Sequence, residues 1–210
     1  MNNISKLYEA GFVIQRVGTV GGDYGFADYD AFCLMGEGDK PCGLLRVALS
    51  ADLYGWEGGH DALMNMLYDD ADEQDEDCVE VANAMREEVK ASEFFDTLTG
   101  CSHWTHIDYC FIEEEYRGEG LGALFVLAWI EMYASNHFVT AIPELSQPHL
   151  VKYWHERVGF KPIGASNQSG PAYRVSGDDD RVVPHYVDMI NHRLTSHKEA
   201  IREEAEEGDE

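Results

Sequence analysis

The sequence predicts an α+β fold, in which a sheet and helices pack as an α/β sandwich. Residues 105–112 are rich in β-branched and aromatic side chains, which is typical of a strand. Residues 121–135 carry Leu, Phe, Trp and Met on one helical face. Residues 31–35 and 42–49 flank a segment with Gly and Pro, which indicates a β-hairpin. Strands and amphipathic helices are therefore both expected.

The other elements follow from the same periodicities. In chain order they are a helical turn at 5–10, a strand at 11–20, helices at 60–68 and 80–95, a strand at 138–145, a helix at 147–158 and a short strand at 172–176. We expect one domain over residues 1–180, with a helical insertion at 56–100. Residues 181–210 are expected to form a C-terminal helix, apolar on one face, that ends in an acidic tail.

An acidic run at residues 69–77 separates the two helices of the insertion. A calcium-binding loop is disfavoured, because the run lacks the glycine that an EF-hand needs at its bend. We therefore interpret the run as a solvated linker.

The composition is strongly acidic. The chain has 210 residues and a formal net charge of −25, from 40 acidic and 15 basic residues. Direct nucleic-acid binding is disfavoured, because it needs Lys and Arg to displace the counterions of the phosphates. A cationic partner such as a polyamine, an aminoglycoside or a basic protein tail would be attracted instead. Solubility or adaptation to high salt would explain the same composition.

The cysteines and the N-terminus favour a reducing cytoplasm. Five cysteines are scattered without Cys-x-x-Cys spacing, and no basic, apolar leader segment opens the chain. No apolar run approaches the roughly 20 residues of a membrane span, so no membrane association is expected. The histidines show no HExxH pattern, and no metal site is expected.

A glycine-rich turn joins the strand at 105–112 to the helix at 121–135. Gly118, Gly120 and Gly122 let the backbone approach a ligand, and the N–H groups at a helix start attract anions. The turn therefore predicts a phosphate-binding site. A dinucleotide-binding unit is disfavoured, because three glutamates precede the turn and no acidic residue follows at the expected distance. A nucleotide triphosphate is disfavoured by the missing Gly-Lys-Ser/Thr ending.

Two spaced motifs carry a resemblance to a known family. Arg117-x-x-Gly120-x-Gly122 matches an Arg/Gln-x-x-Gly-x-Gly/Ala signature, and residues 153–160, Tyr-Trp-His-Glu-Arg-Val-Gly-Phe, match an aromatic helix end that closes in Gly-Phe. Over residues 105–164 the chain resembles the GNAT superfamily of N-acetyltransferases. The resemblance implies a central mixed, mostly antiparallel sheet flanked by helices. The chain departs from the family by placing two helices directly before the central strand.

The resemblance implies acetyl-CoA as co-substrate. In the family the pyrophosphate rests on the glycine turn, and the pantetheine arm pairs with the preceding strand in a splay between the fourth and fifth strands. The corresponding residues here are Cys110, Phe111 and Ile112 for the arm and Arg117, Gly118, Glu119, Gly120, Leu121, Gly122 and Ala123 for the pyrophosphate.

The proton donor departs from the family pattern. The family uses a Tyr four residues before the glycine of the Gly-Phe pair, and His155 holds that position here. A histidine can also donate a proton. Tyr153 is the alternative donor if the helix is rotated, and a His155 that only packs or faces water is an open interpretation.

The strand at 105–112 supplies the candidates for a base. Alternation along a strand predicts that His106, Asp108 and Cys110 share one face. The family often uses a carboxylate on this strand, so Asp108 is the first candidate and His106 the second. Asp108 paired with an Arg or a His as a structural group is the alternative. Transfer through an acetylated Cys110 is a further alternative, although buried strand cysteines are usually inert.

We expect an N-acetyltransferase that moves an acetyl group from acetyl-CoA to a primary amine of a small molecule or protein within a ternary complex. The acceptor is expected to be cationic, and a homodimer is left open beside a monomer. The competing hypothesis is a GNAT-fold binding module without catalysis, whose acidic surface binds a basic partner or imitates nucleic acid.

Overall fold

The computed structural model describes residues 2–21, 28–53, 56–72, 76–118, 120–143, 148–164 and 171–175. The elements within these ranges are α1 (Asn3–Glu9), β1 (Val13–Gly21), β2 (Asp28–Met35), β3 (Pro41–Asp52), α2 (His60–Asp72), α3 (Glu76–Glu88), α4 (Ser92–Thr99), β4 (His103–Ile112), α5 (Leu121–Tyr133), β5 (His137–Ala141), α6 (Pro148–Lys152), β6 (Lys161–Pro162) and β7 (Ala172–Val175). A π-helix, Tyr153–Val158, continues α6.

In the described part of the chain, seven strands form one sheet in the order β1-β2-β3-β4-β5-β7-β6. Every neighbouring pair is antiparallel except β4 and β5, which are parallel and are connected through α5. Helices α2, α3 and α4 precede the central strand β4. The predicted fold class is therefore confirmed: the sheet is mixed and mostly antiparallel, flanked by helices, with a helical insertion before the central strand. The predicted C-terminal helix lies outside the described residues.

Two apolar layers enclose the sheet. Helix α5 is almost wholly apolar, and it is buried between one face of the sheet and α1. Helices α2, α3 and α4 cover part of the other face, around Trp104 and Phe138. The carboxylate of Glu131 on α5 accepts a hydrogen bond from the backbone N–H of Asn3 at 2.9 Å. This bond satisfies a free N–H at the start of α1 and fixes α1 on α5.

The linker interpretation of the acidic run is wrong for most of its length. Helix α2 continues to Asp72 and α3 begins at Glu76, while residues 73–75 lie outside the described ranges. Leu63, Leu67 and Ala71 are fully buried. Their spacing of four residues continues the apolar face of α2 into the acidic segment, so burial on one side maintains the helix, while Asp69, Glu76 and Asp77 are exposed.

The predicted helix at 80–95 is two helices. Helix α3 ends at Glu88 and α4 begins at Ser92, with Val89 buried in the break between them. Strand β5 ends at Ala141, earlier than predicted, and the two-residue strand β6 was not predicted. All five cysteines lie in described segments and are free thiols. No helix in the described part of the chain is long and apolar enough to cross a membrane.

A β-bulge in β4 overturns the predicted alternation of its side chains. Arg46 pairs with Tyr109 but Val47 pairs with Ile107, so Asp108 is an extra residue on β4. Ile107 belongs to the α5 side of the sheet before the bulge, and Cys110 belongs to it after the bulge. His106 instead lies beside Thr140 on the opposite side, with 3.0 Å between its Nδ1 and Thr140 Oγ1. His106 and Cys110 therefore do not share a face.

A histidine pair lies where β4 and β5 begin. The rings of His103 and His137 are 4.8 Å apart between centroids, and Thr105 Oγ1 is 2.8 Å from His137 Nδ1. Burial and the neighbouring His103 lower the pKa of His137 below its ordinary value of 6.5. The folded protein therefore binds a proton at His137 less readily than the unfolded chain does.

We expect His137 to make folding sensitive to mild acid. Above pH 6.5 the His137 ring is neutral in both the folded and the unfolded protein, so its protonation does not affect the free energy of unfolding. As the pH falls through 6.5, the unfolded chain binds the proton first, and the folded protein loses stability. Urea unfolding at pH 8, 6.5 and 5 should show a smaller acid loss in His137→Gln than in the unmodified protein. Comparing the two proteins at each pH removes the general effect of net charge. Equal losses in both would contradict the assignment.

Candidate active site

A cavity of about 540 Å³ lies where β4 and β5 part. The two strands pair only from His103 with His137 to Ile107 with Ala141, and β4 then continues to Ile112 without a β5 partner in the described residues. The lining combines this free part of β4, the glycine turn and the end of α6, and it consists of Ile107, Asp108, Tyr109, Cys110, Ile112, Tyr116, Arg117, Gly118, Gly120, Leu121, Gly122, Ala123, Ile142, His149, Leu150, Tyr153, Trp154 and Arg157.

The start of α5 closes one end of the cavity. Gly118 and Gly120 have φ angles of +87° and +79°, a conformation that side chains with a Cβ rarely adopt. Gly120 is the N-cap, and no side chain caps the helix. The N–H groups of the first turn have no carbonyl partner within the helix, and the positive end of the helix dipole lies behind them. The turn is therefore suited to an anion. Glu119 lies outside the described residues.

Arg117 lies over the strand that leads into the turn. Its Nε donates a hydrogen bond to the carbonyl of Ile112 at 2.7 Å, and its guanidinium carbon lies 5.0 Å from the ring centroid of Phe111. Phe111 itself is not among the described lining residues, whereas Cys110 and Ile112 are. Of the predicted cofactor-binding residues that the structure describes, all but Phe111 line this cavity.

The hydroxyl of Tyr153 packs against the first turn of α5. A Cβ placed on Gly122 would lie 3.0 Å from Tyr153 Oη and 3.3 Å from Ile112 Cγ1. Because Gly122 has no Cβ, the Tyr153 hydroxyl has room to pack against it. Burial, and then the adjacent Cys110 thiol, raise the pKa of Tyr153 well above its ordinary value. Burial also raises the pKa of Cys110, to about 12. Both groups hold their protons at neutral pH.

His155 is turned away from the cavity. Its Nδ1 donates a hydrogen bond to the carbonyl of Phe160 at 2.8 Å, and it is not among the described lining residues. The lining residues of this segment, His149, Leu150, Tyr153, Trp154 and Arg157, recur at intervals of three to four residues, and His155 lies off the face that they share. Tyr153, at the first π-helical position, lines the cavity instead.

Tyr116 is a second tyrosine in the wall, but its surroundings differ. Its ring packs edge-on against Phe12, with 5.9 Å between centroids. Burial and a hydrogen bond with Cys42 raise the pKa of Tyr116 to about 12. The hydroxyl of Tyr116 is thus engaged by Cys42, whereas that of Tyr153 lies against the first turn of α5.

The candidates for a base are separated by the bulge. Asp108 lines the cavity, and its carboxylate forms an ion pair with Nε of Arg46 on β3. The guanidinium carbon of Arg46 lies 4.7 Å from the ring centroid of Tyr29. His106 is only 1% exposed and does not reach the described lining. Asp108 is therefore the one of the two candidates that the structure places at the cavity.

Sequence reasoning missed several residues of this site. Arg46 pairs with Asp108, and His149, Arg157 and Ile142 contribute to the lining. Arg174 on β7 donates a hydrogen bond to the last residue of the π-helix, Val158. The sequence offers one indication of this role: alternation along β7 places Arg174 on the same face as the apolar Ala172, and that face is buried.

The strand order, the parallel pair that opens into a cavity, and the glycine turn beside it agree with the arrangement that the resemblance to the GNAT superfamily implies. No protein-family model and no curated protein matches the chain. Among solved structures, the apo form of an agmatine N-acetyltransferase mutant is similar with a TM-score of 0.41 and 12% sequence identity. The match covers 77% of this chain and 96% of that one. A similarity this distant carries no argument about the fold or the function of this chain.

Proposed function

We propose that the protein is an N-acetyltransferase that transfers an acetyl group from acetyl-CoA directly to a primary amine. The observation that carries the proposal is the cavity between β4 and β5, with an uncapped, glycine-rich helix start at one end and the protonated Tyr153 in its wall. The two motifs that predicted this function, residues 112–123 and 153–160, both contribute residues to the lining of the cavity. Neither motif includes a residue before β4.

The residues present fit acetyl-CoA. The N–H groups at the start of α5 suit a pyrophosphate, with Arg117 and Arg157 in the same wall. The β4 backbone from Asp108 to Ile112 has no β5 partner in the described ranges and can pair with an amide-containing arm. When bound, acetyl-CoA supplies an activated acetyl thioester.

The proton for a departing thiolate comes from Tyr153 in our proposal. A phenol whose pKa is raised by burial remains protonated throughout the neutral range, which a donor requires. Its hydroxyl already lies against Gly122, in the first turn of the helix that would hold the pyrophosphate. Asp108 is the proposed base, positioned by Arg46. His155 has a structural role, through its bond to Phe160.

Direct transfer is favoured over an acetylated cysteine. A nucleophilic cysteine acts as its thiolate, and burial raises the pKa of Cys110 to about 12. Almost none of this thiol is ionised at neutral pH. In our proposal Cys110 therefore packs against Tyr153 and forms no covalent intermediate, and the amine attacks within a ternary complex. Five free thiols suit a reducing cytoplasm.

The proposal is tested by measuring binding and turnover separately. Calorimetry should show one acetyl-CoA per chain, and release of free CoA should accelerate when spermidine, an aminoglycoside or a lysine-rich peptide is added. Mass spectrometry of the amine should show the added acetyl group. Binding without acetyl transfer to any amine would favour a binding module, and absence of binding would overturn the proposal altogether.

We expect salt to act oppositely on the two substrates. The chain carries a net charge of −25, so a cationic amine such as spermidine is attracted and anionic acetyl-CoA is repelled at long range. Raising the ionic strength to about 0.5 M shortens the Debye length below 10 Å and weakens both effects. The kcat/KM for spermidine should fall, while the Kd of acetyl-CoA changes little or decreases. If kcat/KM instead rises together with the melting temperature, the acidic surface serves salt adaptation.

A further inference from the structure

Arg174 is a buried cation behind the active-site wall. It lies on β7, is 7% exposed, and directs its guanidinium at the end of the π-helix. Its Nη1 donates hydrogen bonds to the carbonyl of Val158 at 2.8 Å and, more weakly, to that of Gly159 at 3.4 Å. Carbonyls at the C-terminal end of a helix lack partners within the helix, and a cation there also faces the negative end of the helix dipole.

The glycine of the Gly-Phe pair is explained by this contact. A Cβ on Gly159 would lie 2.4 Å from Nη1 of Arg174, closer than atoms can approach. Gly159 also has a φ angle of +80°, and the N–H of Phe160 donates back to the carbonyl of Trp154 at 2.9 Å. The chain reverses here in a glycine-closed helix end. Only a glycine admits both the backbone conformation and the guanidinium.

Tyr153 lies on the helical segment whose end Arg174 binds. Tyr153 begins the π-helix and Arg174 binds its last residue, Val158, about one turn further along. Tyr153 shares the face that lines the cavity with His149, Leu150, Trp154 and Arg157, whereas His155 turns to Phe160. Holding the end of the π-helix therefore holds the Tyr153 hydroxyl against Gly122.

We propose that Arg174 is a positioning residue for acetyl transfer, which fixes the π-helix and thereby aims the hydroxyl of Tyr153 into the cavity. The inference rests on the proposed function, because it assigns Arg174 to the donor of that reaction. Arg174 touches neither substrate in this role. Its contribution should appear in the rate of transfer and only through Tyr153.

The test is a double-mutant cycle between Arg174→Met and Tyr153→Phe, with spermidine as the acceptor probe, or whichever of the three amines above is acetylated fastest. Displacing a reacting group by about 1 Å can cost about 100-fold, so Arg174→Met should lower kcat by about 10- to 100-fold. The Kd of acetyl-CoA should change by less than about threefold, because the glycine turn is untouched. In the Tyr153→Phe background the same substitution should lower kcat by less than about twofold.

Two further variants keep the result interpretable. Arg174→Lys retains a cationic donor and should restore part of the lost kcat; it also replaces the Met variant if that protein does not fold. Arg16→Met, which breaks an exposed ion pair with Asp30 on β2, should leave kcat unchanged. Hydrogen exchange gives a readout without substrates: the amide of Phe160 should lose protection in Arg174→Met and retain it in Arg16→Met.

The outcomes separate the two proposals. An unmodified protein that binds acetyl-CoA but acetylates no amine contradicts the proposed function itself. If it is active and Arg174→Met loses equal factors of kcat in both backgrounds, Arg174 is merely structural and the positioning role is wrong. An unchanged kcat in both Arg174→Met and Arg174→Lys also contradicts the positioning role of Arg174.

Discussion

Gly120→Val should weaken acetyl-CoA binding by about 100-fold. Hydrogen bonds to charged groups contribute about 1.5–3 kcal/mol each, and the loss of two of them at the lower value corresponds to about 100-fold in Kd. Gly120 is the N-cap of α5 and has a φ angle of +79°. A branched side chain at this position both strains the backbone and occupies the approach of the phosphates. Calorimetric titration with acetyl-CoA measures the effect.

The matched control for this variant is Gly38→Val. Gly38 has a φ angle of +70°, in the turn between β2 and β3, and a Cβ there would meet no atom within 4 Å. Both variants carry the same backbone strain, about 1–2 kcal/mol of stability. Only Gly120→Val should lose acetyl-CoA. A folded Gly120→Val protein with unchanged affinity would remove the glycine turn from the binding site.

Tyr153→Phe should lower kcat by about 10²- to 10⁴-fold, the usual contribution of a general acid. The Kd of acetyl-CoA should stay within about threefold, because the ring still packs beside Trp154 and only the hydroxyl at Gly122 is removed. Separate measurement of kcat and Kd checks this split.

His155→Ala is the control that distinguishes the donor from its neighbour. It removes a hydrogen bond to Phe160, which should reduce stability by about 1 kcal/mol and leave kcat within about threefold. A large loss of kcat in His155→Ala together with full activity in Tyr153→Phe would return the donor to the position that the family pattern indicates.

The glycine turn was predictable because its requirements are local. A strand, three glycines and an apolar helix lie within 31 residues, 105–135, and their conformations follow from backbone freedom and apolar composition. The structure places Gly118, Gly120 and Gly122 at the cavity, as this reasoning expects. The hairpin of β2 and β3 followed from the same kind of information, whereas the mixed, mostly antiparallel sheet was expected from the family resemblance.

The sequence did not predict which face of the sheet each β4 side chain occupies, because a β-bulge has no clear sequence pattern. One extra residue at Asp108 reverses which side chains face α5, and alternation alone assigns them wrongly beyond that point. The identity of the extra residue depends on pairing with β3, more than 50 residues earlier in the chain. The acidic run likewise became helical only because Leu67 and Ala71 are buried against other elements.

The sequence by itself predicted a sheet flanked by helices and the glycine turn, since these depend on residues that are neighbours in the chain, and the family resemblance supplied the pair of donor candidates. Tertiary structure placed Tyr153 in the cavity wall and His155 against the carbonyl of Phe160. The end of the π-helix that carries both is bound by Arg174, 16 residues after Val158. A hydrogen bond between distant segments has no periodicity, and only the folded chain brings its two ends together.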